Sequence, residues 1–542
     1  MTTDKKPIVP FSLKDAPALI ERLLPVQKLS VEANKEQMAN VGKTLTALGS
    51  YWKGRKPLIL AKACVLGCLL PATKYPARDL EIFEKLMGMD DESFVVRWKR
   101  RPGPKEILAE LSIPYISDYF TLDPEGVLPD SVPVDWSRPE YDKVKVAWRE
   151  DLPELERRRL EAQMLPRMPY RERVEAAKRP EEVMDIVHEH IWDSVNAHLG
   201  TRAHSFLELV EQLGSMRYGH RPRVADTFCG SGQIPFEAAR IGCDVYASDL
   251  NPVACMLTWG AFNIVGSSVA SRVKLTEDQK ELIRQVQTEI DALAVETDGK
   301  GWRAKTFLYC FETRCPQSGW MVPLLPTLVI SKSRMAIAEL VPDIKAKRYD
   351  IAIRSGVTEK KLVAATQGTV GREGRFGEAY LIHHVEGVVY KTKISTLRGD
   401  YQMPDGAIGN RVRLWEKHDF KARPNDIFQE RIYAVQWMRP KKKKKGFDYE
   451  FRGITTEDLE RERIVEKFVG ENLLHWQAQG WVPDMKIEVG GPPRYEGLVL
   501  IRARGWTHWH HVFNPRQLMV NGFINGHATT AALKFGVSQA AN

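Results

Sequence analysis

The chain has 542 residues, 43% hydrophobic and 27% charged, with a formal net charge of +9 and pI ≈ 9.0. That length points to about two to four domains rather than one core, and the composition is that of an ordinary soluble protein. The charge allows a polyanionic partner without requiring one, because a basic enzyme with no such partner carries the same balance.

The N-terminus, "MTTDKKPIVPFSLKD", has no apolar stretch of the secretory kind. Residues 11–100 predict helices, with apolar residues three and four apart in "APALIERLLPVQKLSVEANKEQM". The longest apolar run, "PLILAKACVLGCLLPA" (57–72), is interrupted by Lys62 and falls short of the roughly 18 residues a membrane span needs. It predicts a buried helix with Cys64 and Cys68 in its core, and no membrane association. The seven cysteines are odd in number and scattered, which argues against a disulfide framework and for a cytoplasmic location. From "RRPGPKE" (101–107) to "RMPYRERVEAAKRPEE" (167–182), proline and charge predict loops and short helices across a surface. Helical periodicity returns in "VMDIVHEHIWDSVNAHLG" and "SFLELVEQLG", which lead into a strand at 223–227.

That strand opens "RVADTFCGSGQIPFEAARIGCDVYASDLNPVA" (223–254). It ends at Asp226, and Phe228-Cys229-Gly230-Ser231-Gly232 follows. Gly230 and Gly232 let the backbone turn sharply and approach a ligand where a side chain would collide. The helix beginning near Gln233 aims its amide groups at that ligand. A second strand, "CDVYASD", ends at Asp249, placed to accept hydrogen bonds from the two hydroxyls of a ribose. Asn251-Pro252 opens the next helix, with proline in its first turn. A dinucleotide fingerprint needs G-x-G-x-x-G, whereas position 235 is Pro. The D-x-F-x-G-x-G form followed by S-D-L-N-P is the version that takes S-adenosylmethionine. The candidate cofactor residues are therefore Asp226, Phe228, Gly230, Gly232, Asp249, Asn251 and Pro252. The plainer reading, turn residues of an ordinary α/β unit, leaves the match of two motifs unexplained.

The cofactor unit runs to about residue 265. "TEDQKELIRQVQTEIDALAVE" (276–296) predicts a long amphipathic helix capped by Thr276. Beyond residue 300, alternating segments such as "AYLIHHVEGVVYKTKI" and "ERIYAVQWM" predict strands, and the stretch to about 425 reads as β-rich. "KKKKK" (441–445) before Gly446 predicts an exposed loop. "ARGWTHWHHVFNPRQLMVNGFING" is mixed and turns helical near its end. The resulting layout is 1–180, a helical and basic N-terminal region; 181–275, the cofactor core; 276–480, an insertion; and 481–542, a return segment. Cys310 and Cys315 have the C-x4-C spacing of half a zinc ribbon, but zinc takes four ligands and no second cysteine pair follows. Two free thiols on a β-turn is the preferred reading, with zinc as the alternative. His508, His510 and His511 around Trp509 are expected to pack beside aromatics rather than to ligate a metal.

The chain resembles the DNA adenine-N6 methyltransferases of bacterial phage-defence islands, the large type that begins with a domain of unknown function. The resemblance is carried by "DTFCGSGQIPFEAARIGCDVYASDLNPVA" and by "GSYWKGRKPLILAKACVLGCLLPA" (49–72), at Trp52 through Leu58. "RLWEKHDFKARPNDIFQERIYAVQWM" (413–438) and "RGWTHWHHVFNPRQL" (504–518) also carry it. It implies an α/β fold: a Rossmann-like class I methyltransferase domain with a helical N-terminal region and a β-rich insertion. It also implies double-stranded DNA as partner and the exocyclic amine of adenine as acceptor. Such chemistry needs a [DN]-P-P-[YFW] loop, whose acid or amide polarises the amine while its ring stacks on the extruded base. In the family that loop follows the equivalent of Gln517-Leu518, and residues up to Asn542 do not reach it. "GGPPRYEG" (490–497) has Gly491 where the acid belongs and Arg494 before the ring, so it reads as a turn. "LNPVA" and "FNPRQ" lack the second proline.

The expectation is a split enzyme in a phage-defence or restriction-modification-like system. This chain would bind the donor, and a second polypeptide would bring the acceptor loop and cover an apolar sheet edge. The alternatives are a catalytically inert methyltransferase-like scaffold or sensor, and an RNA methyltransferase. For DNA contact the candidates are Lys441 to Lys445, Arg157 to Arg159 and basic residues of the insertion, where residues 300–480 hold the place of target recognition. A solvated charged loop is the competing reading of the lysine run.

Overall fold

The computed structural model describes residues 13–39, 54–128, 133–183, 187, 189–372, 374, 377–402, 404, 408–442, 445–487, 501 and 503–535. The fold is mixed α/β, and the chain forms two compact units, Met1–Arg272 and Val273–Asn542. No single helix among the described residues is long and apolar enough to cross a membrane.

The first unit begins with helices α1 (Leu19–Arg22), α2 (Val26–Gln37), α3 (Leu58–Leu69), α4 (Pro76–Met87) and α5 (Asp91–Arg97). Proline at the first position of α4 and Gly88 at φ 68 after its last mark the two ends, because each backbone shape suits that residue. Arg97 at the end of α5 is wholly buried. Its Nη2 pairs with Glu32 Oε2 at 2.7 Å, and it donates to Gly88 O (2.7 Å) and Lys178 O (2.9 Å). One guanidinium thus ties α2, α5 and the 178 segment together.

Helix α6 (Pro104–Glu110) precedes strand β1 (Phe120–Asp123), which pairs antiparallel with β2 (Lys145–Trp148). Helices α7 (Glu154–Ala162) and α8 (Tyr170–Ala176) follow. Residues 101–182 are therefore not loops spread on a surface. Ile107, Leu108, Leu111, Ile113, Phe120 and Leu160 build a core of their own there. Prolines set between these apolar residues mask the periodicity that would have announced it.

Helices α9 (Glu189–Leu199) and α10 (Phe206–Tyr218) come next. The N–H of Glu208 donates to Ser205 Oγ (3.3 Å), capping α10 at its start, and Gly219 at φ 77 ends it. Strand β3 (Arg223–Asp226), helix α11 (Gln233–Ile241), strand β4 (Asp244–Ala247) and helix α12 (Pro252–Gly260) complete the unit, with β3 and β4 parallel. One hydrophobic cluster joins Leu29, Ile59 and Leu66 to Ile191, Leu213 and Ile241. The N-terminal helices and the 181–275 region thus share a core across the line expected at 180.

Helix α13 (Val269–Ala292), most of which belongs to the second unit, starts before the Thr276 cap expected for it. Ser268 Oγ accepts from Ser271 N at 3.1 Å and supplies the cap instead; nothing in 269–275 interrupts helical backbone. The main sheet has the order β16-β15-β5-β6-β9-β8-β7. Its strands are β5 (Arg303–Arg314), β6 (Met321–Leu324), β7 (Val329–Ser331), β8 (Ala336–Asp343) and β9 (Arg348–Arg354). Helix α14 (Glu359–Ala364) leads to a three-stranded sheet of β10 (Val370–Arg372), β11 (Ala379–Val385) and β12 (Val388–Lys393). Helix α15 (Ile394–Arg398) precedes the short pair β13 (Tyr401–Gln402) and β14 (Ile408–Gly409). Strands β15 (Gln429–Pro440) and β16 (Phe447–Gly453) return to the main sheet, which carries the β-rich region well past 425. Helices α16 (Thr456–Ala478) and α17 (Pro515–His527) close against α13 through Val286, Ile290, Val469, Leu473, Trp476 and Leu518.

Candidate cofactor-binding site

Strands β3 and β4 run in register from Arg223 opposite Asp244 to Asp226 opposite Ala247. Their C-terminal ends lie side by side, and the loops that follow them carry the expected site. The turn after β3 is held by Cys229 N donating to Ser248 O (3.0 Å) and Gly232 N donating to Cys229 O (2.8 Å). Gly230 and Gly232 have φ of 51 and 74, where a side chain is strained. At Gly232 the space is closed as well, since a Cβ would lie 2.7 Å from Thr258 Oγ1 and 3.0 Å from Thr258 Cα. Helix α12 therefore presses directly on the turn.

Asp249 links the loop after β3 to the loop after β4. Its Oδ2 accepts from Gly230 N at 2.9 Å and its Oδ1 from Asn251 N at 2.8 Å. These amide bonds, that from Asn251 first, hold the carboxyl below the usual aspartate range. The ionised carboxylate keeps acceptor capacity for ligand hydroxyls beyond those two bonds. Asn251 Oδ1 accepts from Val253 N (2.9 Å) and, with Pro252 at the first helical position, starts α12. Asp226 Oδ1 accepts from Phe228 N (3.2 Å). All seven residues expected at the site are thus brought to one place.

The sequence reading named Phe228 but missed the rest of the apolar surface beside it. Phe228 is 80% and Leu250 is 94% exposed at the strand ends, and Val253, Met256 and Trp259 continue a bare apolar face along α12. Their spacing of three was visible. Their exposure was not, because the same spacing serves a buried face. Chemically, these two loops offer a carboxylate for hydroxyls, a turn that lets a ligand reach the backbone, and two exposed hydrophobic surfaces for a flat ring.

The remaining expected sites fall differently. Cys64 and Cys68 are exposed rather than core, because α3 turns that stripe away from the packed helices. Cys310 and Cys315 sit in separate hydrophobic clusters, since an odd separation along an extended chain sends side chains to opposite faces. Burial pushes the Cys310 thiol up to about 12. Burial acts upward on Cys315 too, but hydrogen bonds from Ser318, the Gln317 backbone and Thr392 prevail and bring it below the ordinary thiol range. No group of three or more His, Cys, Asp or Glu suited to a metal occurs among the described residues.

Arg158 and Arg159 pair with Glu154 and Glu156 along α7, and Arg157 donates to Arg149 O. Lys441, Lys442 and Lys445 are exposed at the turn between β15 and β16. Next to them, the Arg439 guanidinium lies 4.3 Å from the Trp302 ring. Trp52, Lys443, Lys444 and the "GGPPRYEG" segment lie outside the described residues.

The histidine trio is built into the backbone. His511 Nε2 donates to Glu416 O (3.1 Å) while Nδ1 accepts from Thr507 N (3.1 Å). His510 Nε2 donates to Asp419 O (3.2 Å). Burial, then the neighbouring His510 and His508, push His511 down to about 3. The unfolded chain takes up that proton near the ordinary value of about 6.5. Between about 6.5 and 3 the unfolded state therefore binds more protons, and stability must fall as pH falls, by up to about 1.4 kcal/mol per pH unit for one such group. Urea midpoints measured at pH 7 and pH 5 should show that loss, and His511→Asn should make it shallower; an equal loss in the variant would assign the slope to other groups.

Residues 23–86 match a family described as "Protein of unknown function (DUF1156)". No curated protein and no solved structure matches the chain.

Proposed function

We propose that this chain is the S-adenosylmethionine-binding subunit of a split DNA adenine-N6 methyltransferase, acting within a phage-defence or restriction-modification-like system. In this reading β3, α11, β4 and α12 form the donor half of a Rossmann-like class I methyltransferase domain, and the acceptor loop comes from a second polypeptide. The observation that carries it is Asp249. Its carboxylate stands at the end of the second parallel strand, facing a turn with two glycines at positive φ, where ribose hydroxyls would complete its hydrogen bonding. Phe228 and Leu250 would hold the adenine ring. S-adenosylmethionine supplies the methyl group; this chain's residues bind and orient it. No [DN]-P-P-[YFW] tetrapeptide occurs in residues 1–542, so in this reading the group that polarises the accepting amine comes from the second polypeptide. The exposed lysines between β15 and β16 suit phosphate contacts with double-stranded DNA, and the sheet behind them holds the place of target recognition.

Asp249→Ala should weaken S-adenosylmethionine binding about tenfold or more through loss of charge-assisted hydrogen bonds. Calorimetry giving wild-type affinity would remove Asp249 from the site. The function itself is tested by transfer of labelled methyl groups to duplex DNA. The chain alone should bind the donor and leave the DNA unlabelled, and labelling should appear when a polypeptide carrying the acceptor tetrapeptide is added. Labelling by the chain alone would overturn the split reading. Donor binding without turnover in any such combination would leave the inert scaffold.

A further inference from the structure

We infer that the free edge of β3, with the bare stripe of α3 beside it, seats a β-strand of the polypeptide that brings the acceptor loop. This deepens the split-methyltransferase reading and rests on it. Strands β3 and β4 form a two-stranded parallel sheet in which neither outer edge pairs with a strand among the described residues. Parallel strands are ordinarily buried members of larger sheets covered on both faces. Which edge is free can be read from the hydrogen bonds. Asp244 N donates to Pro222 O (2.9 Å) and Ser248 N to Asp226 O (3.0 Å), so the even-numbered residues of this stretch turn their polar groups toward β4. Arg223, Ala225 and Thr227 turn theirs the other way, and all three are exposed. They form an open row of donors and acceptors of the kind that recruits a strand.

Helix α3 supplies the second observation. It is apolar on every face, a pattern that belongs to a helix buried all round. Leu58, Ile59, Ala63, Leu66 and Leu69 are indeed buried. Its remaining stripe, Leu60, Cys64 and Cys68, is left open along one side, with both thiols exposed. This stripe and Val224, Ala225 and Ile234 line a cavity of about 660 Å³. The polar residues of the same cavity are Lys56, Tyr218, His220 and Arg223, and no carboxylate lines it. The occupant is therefore an apolar strand whose flanks are acidic.

Position explains why this occupant should be the acceptor-bearing one. A strand laid parallel on β3 ends beside Phe228 and Gly230. The loop that follows it then falls beside the turn at Phe228 and Gly230, on the side of β3 away from β4. That is where open α/β sheets bring ligand-binding loops together.

The test uses the full chain, tagged and purified from the cells that make it, with N-ethylmaleimide as the probe of Cys64 and Cys68. The expected result is a co-purifying polypeptide that contains a [DN]-P-P-[YFW] tetrapeptide and slows alkylation of both thiols about tenfold relative to the isolated chain. A Cys64→Glu, Cys68→Glu variant should lose that polypeptide while keeping its melting temperature and its affinity for S-adenosylmethionine. Thiols alkylated equally fast in the complex and in the isolated chain would overturn the proposal. So would thiols already shielded in a monomer, which would assign the groove to another segment of this chain, or shielded only in a dimer, which would assign it to a second copy. A complex that methylates DNA with both thiols free would sink the groove and leave the functional reading standing. Failure of the isolated chain to bind S-adenosylmethionine would sink that reading instead.

Discussion

Gly232→Ala should destabilise the first unit by about 2–5 kcal/mol and abolish the proposed S-adenosylmethionine binding. Two costs add at this position. The backbone at φ 74 charges any residue with a Cβ about 1–2 kcal/mol. The new methyl would also sit 2.7 Å from Thr258 Oγ1 and 3.0 Å from Thr258 Cα. The hydroxyl can rotate away, but the Cα belongs to the backbone of α12, so the helix itself must move. Overpacking of that kind costs about 1–3 kcal/mol. Movement of α12 also disturbs the Asn251 cap and the Asp249 carboxylate just before it, which is why binding should fail together with stability. Gly219→Ala separates the two costs. Its φ of 77 is equally demanding, but nothing lies within 4 Å of the added Cβ, so only the backbone part, about 1–2 kcal/mol, should appear. Urea unfolding of both variants checks the difference. Equal losses would mean that the contact with α12 carries no weight.

The second large effect is expected at Arg97. Arg97→Ala should cost about 3–5 kcal/mol, because it leaves Glu32 as an uncompensated buried charge. Both side chains are fully buried, and the only other side-chain hydrogen bond to the Glu32 carboxylate among those described is a 3.3 Å one from the Tyr170 hydroxyl. The same substitution also strips donors from Gly88 O and Lys178 O and the guanidinium from the Phe94 ring, 4.5 Å away. Replacing both partners by apolar residues, Arg97→Met with Glu32→Leu, should recover part of the loss, since no charge is then stranded. A double variant no more stable than Arg97→Ala would show that the carbonyl contacts, not the ion pair, hold this corner. Glu32 lies within residues 23–86 and Arg97 outside them, so the fold of that matched segment depends on a residue beyond it.

Much of the candidate site was legible because its determinants are local. Gly230 and Gly232 announce a turn that only glycine makes without strain, Asn251-Pro252 announces a helix start, and Asp249 is fixed by the length of a short strand. The strands at 379–393 were legible for the same reason, through two-residue alternation. Local signals also misled in places. Thr276 is a good cap residue, yet Ser268 is one too and comes first, so α13 starts there.

What the sequence by itself determined is the type of each element and the chemistry at its ends, since both depend on residues a few positions apart. It also determined that residues 1–542 contain a D-x-F-x-G-x-G turn and no [DN]-P-P-[YFW] tetrapeptide. Only the tertiary structure decided which apolar faces are covered. Cys64 and Cys68 read as core because α3 is apolar all round, and they are bare because the neighbouring helices cover its other faces and leave that stripe to a cavity. Leu250, Val253 and Met256 read as ordinary apolar residues and stand open beyond β4 and along α12. Residues 101–182 read as surface and enclose a core, and Cys310 and Cys315 read as neighbours and point apart. Burial is a property of what packs against a residue, and those partners are tens to hundreds of positions away, beyond the reach of any local pattern.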